Sequence, residues 1–198
     1  MGMVFKVKTK MELIESCRVV KKDPSIIWVG AVHNTLMIKG EKNNESLRSK
    51  CYKTHFEIKS DYSPAHFKDP DRSLRILTKQ LEIDPENTRY MYYLAREYIS
   101  RRMRPENKEK IPELLGLIIF WLEKCDKKAF YEDWTNEYAD ALYCLALAYI
   151  EQNKWYEAVM AAVKSFLILP SYKAPAEFIS VAMMSMPRGN KYPAAAAF

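Results

Sequence analysis

Residues 138–170 read YADALYCLALAYIEQNKWYEAVMAAVKSFLILP. Leu142, Leu145 and Tyr149 recur at helical spacing, so they share one face of a helix. Ala158 and Ala162 recur one turn apart in a second helix. Small Ala146 and Ala158 allow two antiparallel helices to approach closely, and Leu142, Leu145 and Tyr149 fill the space between neighbours. Pro170 cannot continue a helix and so ends the second one. This stretch predicts a mainly α protein built from antiparallel helix pairs.

The pattern Leu142-x2-Leu145-Ala146-x2-Tyr149, followed by Ala158-x3-Ala162 and Pro170, resembles the tetratricopeptide repeat (TPR). Leu142 stands where that repeat carries Trp, Ala146 where it carries Gly, and Ala162 where it carries Phe. An earlier copy places Met91, Leu94, Ala95 and Tyr98 at the same spacing, and a third begins with Ala176, Ile179 and Met183. Pro85 and Pro170 end corresponding helices 85 residues apart, about 17 more than two TPR units. The surplus is expected in the polar stretches 101–112 and 125–137. A stack of this kind suits a protein partner or a homodimer, or serves as a helical annex that only stabilises its neighbour, and periodicity does not separate the two.

Outward from the repeats, DYSPAHFKDPDRSLRIL at residues 61–77 opens the helical region. Asp69 is expected to cap a helix, with Pro70 in its first position and Asp71 in its first turn. That reading opposes a metal pair at Asp69 and Asp71, because a proline-locked helix start does not converge two carboxylates on one ion. Leu74, Leu77 and Leu81 continue the helix, and Pro85 lies just beyond its end.

The first third has a different character. Of 31 Lys and Arg and 25 Asp and Glu, residues 1–60 hold 12 and 6, and the remainder holds 19 of each. The whole net charge of +6 therefore lies there, beside all three histidines, His33, His55 and His66. Residues 11–22, with Leu13, Ile14, Cys17 and Val20, predict an amphipathic helix. SIIWVG, AVHNTLMIKG and CYKTHFEIKS predict three strands, with a polar loop over 41–50. Residues 1–68 form a small α+β segment on this reading, and residues 69–198 the helical repeat domain. Sixty residues make a marginal core by themselves.

Cys17, Cys51, Cys125 and Cys144 have no Cys-x-x-Cys spacing and no His at zinc-ligand spacing, so free thiols are expected. No apolar run has the length of a membrane span, and the N-terminus lacks signal-peptide features. The expected location is cytoplasmic. Trp28, Tyr52 and Phe56 stand in a basic segment, but no RNA or DNA motif accompanies them, so nucleic acid is not the expected partner.

IIWVGAVHNTLMIKGE, followed by DYSPAHFKDPDRSLRIL and the repeats, resembles the C-terminal end of family 2 glycosyltransferases fused to TPR repeats. Trp28, Gly30, Val32 and His33 match the strand that closes the GT-A catalytic domain, and His66 with Arg72 match the loop and helix after it. Asn34 replaces the usual Glu. The resemblance implies the C-terminal region of a nucleotide-sugar-dependent glycosyltransferase working with Mn or Mg. It also implies metal or diphosphate roles for His66 or His33, and acceptor- or donor-side roles for Trp28 and Asn34. No Gly-rich phosphate loop and no free Asp-x-Asp is present, so the chain alone is expected to be inactive and to hold no cofactor. The alternative is a stand-alone TPR-like adaptor that binds a protein and catalyses nothing.

Overall fold

The computed structural model describes residues 2–8, 13–20, 23–32, 35–42, 47, 51–59, 68–126, 130 and 134–185. The fold is mainly helical. Among the described residues there are six α-helices: α1 (Arg72–Ile83), α2 (Thr88–Arg102), α3 (Ile111–Lys124), α4 (Thr135–Glu151), α5 (Trp155–Ile168) and α6 (Lys173–Ser185). A 3-10 helix, Pro105–Lys110, precedes α3. The strands are β1 (Gly2–Lys8), β2 (Leu13–Val20), β3 (Ile26–Val29), β4 (Thr35–Ile38) and β5 (Cys51–Lys59). The chain divides into two compact units, Met1–Ile76 and Leu77–Phe198, with the division falling inside α1.

In the first unit, β1 lies between β2 and β5. It pairs antiparallel with β2, from Gly2 opposite Val20 to Lys8 opposite Leu13, and parallel with β5. β3 and β4 form a separate antiparallel hairpin, with Trp28 opposite Leu36. Within the helix expected over 11–22, the described residues Leu13–Val20 are therefore a strand. Its apolar spacing also fits a short extended segment, and β-branched Val19 and Val20 favour one. The adjacent strand β1 then supplies a hydrogen-bond ladder that eight residues of lone helix could not match. β1 itself is marked by the alternation Phe5-Lys6-Val7-Lys8, a period of two. The polar stretch 41–50 lies largely outside the described residues.

α1 begins at Arg72, later than Asp69 predicts. The Asp71 carbonyl accepts the first helical bond, from the Arg75 N–H at 3.0 Å. The Asp69 carboxylate is taken instead by the Arg75 guanidinium, which donates to both its oxygens at 2.8 and 2.7 Å. This fork, assisted by the Asp71 N–H, holds the Asp69 carboxyl below the usual carboxylate range.

In the second unit the helices pack as successive pairs, α2 with α3 and α4 with α5, and α6 rests on α5. Asn87 caps α2 by accepting the Tyr90 N–H at 3.0 Å, and Arg101 and Arg102 occupy its last turn, where the helix dipole favours cations. The turn between α4 and α5 places Asn153 at φ 59°, a left-handed conformation that Asn tolerates better than most residues. Across this pair Ala139, Ala146, Ala158 and Ala162 are fully buried. The Ser165 hydroxyl donates to the Ala139 carbonyl at 2.7 Å, which small residues on both helices permit. Leu142 and Leu145 are buried beside them, as their spacing predicts. The stretch 101–112 holds the 3-10 helix. The stretch 125–137 is not wholly polar surface, because Cys125 and Phe130 are fully buried. Phe130 stacks edge-on against Tyr138 at 5.6 Å between ring centroids and meets Tyr92 at 5.9 Å.

Candidate functional site

Among the described residues of the second unit, a dense polar constellation centres on Asp140 of α4. Its carboxylate accepts the Tyr92 hydroxyl at 2.6 Å, the Arg96 Nη1 at 3.0 Å and the Tyr172 hydroxyl at 3.1 Å. The Cys144 thiol lies 3.7 Å away, one turn along α4. One carboxylate therefore joins α2, α4 and the turn before α6. Charge-assisted donors to a half-buried carboxylate make strong hydrogen bonds.

The surroundings tune each member. Burial, then the neighbouring Asp140 charge, holds the Tyr92 and Tyr172 phenols above their ordinary range. The same two causes push the Cys144 thiol up to about 12. A thiol so displaced is protonated at neutral pH. Burial works against the Arg96 charge, but Tyr92 and Asp140 more than offset it and hold the guanidinium protonated.

Further pairs join the same two helices. Arg89 lies 3.8 Å from Glu137, and Arg102 donates to Glu151 at 2.5 Å. The Arg89 guanidinium also stacks on the Trp134 ring at 4.1 Å and faces Tyr93 at 4.9 Å. Tyr92–Asp140 and Arg96–Cys144 span 48 residues, and Arg102–Glu151 spans 49. Partners that advance together at a constant offset require α2 and α4 to run parallel, side by side. The arrangement can fix register and curvature.

A second set of contacts braces the connection before α4. Asp126 accepts hydrogen bonds from the Tyr138 hydroxyl and, at 2.5 and 2.6 Å, from Lys164 of α5. Burial opposes ionisation of Asp126, but Lys164 and Tyr138 outweigh it, and its carboxyl lies below the usual range. The Tyr149 hydroxyl donates to Glu123 at 2.7 Å, joining α4 to α3.

The residues expected to carry chemistry divide between described and undescribed segments. Trp28 is on β3 and 62% exposed, one residue before Val29 and two before Gly30, whose φ of 100° is the left-handed region that glycine reaches without strain. His33, Asn34, His55 and His66 lie outside the residues whose side chains are described. Among the described residues no group of three or more His, Cys, Asp or Glu side chains converges as a metal site. No helix among them is long and apolar enough to cross a membrane.

The Asp140 constellation is absent from the sequence-based expectations. Its only local signals are the one-turn pairs Tyr92–Arg96 and Asp140–Cys144, and neither pair points to the other without knowing that α2 and α4 are neighbours. No protein-family model matches the chain, and no curated protein is similar to it.

Proposed function

We propose that the helical part of this chain is a TPR-like scaffold for protein association, and that a second copy of the chain is what it binds. The observation that carries this reading is the two-sided character of α5. One face, Ala158, Ala161, Ala162 and Ser165, is buried against its neighbours. The opposite face carries Tyr156 and Met160, each 50% exposed, and Leu167, 71% exposed. With half-buried Val163 these follow steps of four, three and four residues, the spacing of a seam that packs against another helix. A helix apolar on both sides is built to be covered on both sides.

The repeat reading gains support from spacing. Met91 and Leu142 stand 51 residues apart, and Leu142 and Ala176 stand 34 apart, one TPR unit. All of the surplus thus falls between α2 and α4, where the 3-10 helix and the segment carrying Phe130 are inserted. Sedimentation equilibrium tests the association. The chain is expected to self-associate, and Met160→Glu with Leu167→Glu is expected to leave a 23.2 kDa monomer of unchanged helicity. A chain that is monomeric at all concentrations contradicts the reading.

A second reading concerns residues 1–68 as the end of a glycosyltransferase-like domain, with Mn or Mg and a nucleotide sugar bound in a complete enzyme. Exposed Trp28 beside the left-handed Gly30 favours it, since an open indole next to a backbone turn suits stacking on a sugar or base. Titration of the chain with uridine or guanosine diphosphate sugars and Mn²⁺ is expected to give weak binding or none, and no transfer. In a complete enzyme, His66→Ala is expected to lower activity strongly. Full turnover by these residues alone, or full activity of the His66 variant, opposes this reading.

A further inference from the structure

α6 is attached more lightly than α2, α3, α4 and α5, which bury at least four side chains each. Only Pro175 and Ala182 of its side chains are buried. Phe178 and Ile179 rest, partly covered, on a floor of Ala146, Ala161 and Ala162. Val181 and Met183 are each 58% exposed and Met184 is 77% exposed. α4, by contrast, buries eight side chains along its length. The amount of apolar surface that α6 covers is therefore small, and covered apolar surface is what resists local opening.

The polar attachment is equally localised. Tyr172, in the turn just before α6, donates to Asp140 at 3.1 Å. Its ring meets the Tyr143 ring edge-on at 5.5 Å, and Tyr143 in turn meets Phe178 at 6.1 Å. Among the described residues, the side-chain hydrogen bond of α6 from Ser180 to the Ala176 carbonyl is internal to the helix.

We propose that α6 is a latch: it opens as a unit while α4 and α5 stay folded, and the Tyr172–Asp140 hydrogen bond holds it shut. Opening uncovers the small-residue floor of Ala146, Ala161 and Ala162 and leaves the α4–α5 pair intact, because that pair is closed by its own contacts, among them Ser165 to Ala139. This follows from the packing alone and does not depend on the association reading above.

Native-state hydrogen exchange of the full chain, read by mass spectrometry, tests it with two variants. In the unmodified chain the amides of α6 are expected to exchange at least about tenfold faster than the slowest amides of α4 and α5, with little dependence on low denaturant. Tyr172→Phe removes the hydroxyl and keeps the ring, and is expected to accelerate α6 exchange by about tenfold, the effect of losing one such hydrogen bond. Ser165→Ala loosens α4 against α5 in the closed and open forms alike. It is expected to accelerate the slow α4 and α5 amides while leaving α6 exchange unchanged. Two results overturn the proposal: α6 amides that accelerate in step with α4 and α5 in Ser165→Ala, which means α6 opens only with the whole unit, or α6 exchange indifferent to Tyr172→Phe.

Discussion

Replacing Asp140 with alanine removes the one acceptor shared by three donors. Tyr92 is 6% exposed, so its hydroxyl is left buried without a partner, at a cost of about 1–3 kcal/mol. Tyr172 loses a 3.1 Å bond at the edge of the unit, worth about 1 kcal/mol. Arg96 is half exposed and regains water, so its pair adds only about 0–1 kcal/mol. The sum is about 2–5 kcal/mol, and at about 2–4 °C per kcal/mol for a chain of this size, Tm is expected to fall by roughly 4–20 °C. Most of the loss comes from an orphaned donor, so Tyr92→Phe in the Asp140→Ala background is expected to restore about 1 kcal/mol, although Tyr92→Phe alone destabilises. Thermal melts of the two single variants and the double variant complete the cycle. Additive losses, or an Asp140→Ala melt within about 1 kcal/mol of the unmodified chain, refute the reasoning.

Other outcomes follow from the same contacts. Ala146→Trp or Ala158→Trp is expected to overpack the closest helix approach and cost about 1–3 kcal/mol or more, read from chemical denaturation; unchanged stability means these positions do not face a neighbour. The Asp126 carboxyl has a folded-state pKa below its unfolded value of 3.8, so its pairing stabilises the fold above that pH and the contribution fades as pH falls through the folded value. The Tm gap between the unmodified chain and Lys164→Met is therefore expected to be largest at neutral pH and to shrink below about pH 4, and a gap that widens in acid contradicts the pairing. Arg75→Gln is expected to raise the Asp69 pKa toward the ordinary range, measurable by carbon chemical shifts, since the guanidinium fork is the largest cause of its depression.

Much of the helical part is legible in sequence because its determinants are local. The small–large alternation of Leu142, Leu145, Ala146, Ala158 and Ala162 specifies both the helices and their close approach, and each of these residues is buried. Pro85 and Pro170 mark helix ends for steric reasons that need no context. Three of the strands are likewise read from short β-branched and aromatic runs. The failures are those in which a distant partner decides. Residues 13–20 carry a spacing compatible with a helix, and only the neighbouring strand β1 makes the extended form better. Asp69 looks like a cap until Arg75, six residues on, takes its carboxylate. Phe130 sits in a charged stretch, and its burial depends on Tyr92 and Tyr138 from two other helices. Asp140 is invisible for the same reason: its partners Tyr92 and Tyr172 lie 48 and 32 residues away, and nothing in either local pattern announces the other.

The association surface on α5 is tested most directly by a photo-crosslinking residue placed at position 167, with the same residue at Glu82 of α1 as a control. Both sites are exposed, so neither substitution disturbs the core. Illumination of the chain alone is expected to give a crosslinked dimer from position 167, with the crosslink mapping to residues 156–167 of the second copy, and none from position 82. Absence of any dimer from position 167, or equal crosslinking from the two positions, contradicts it.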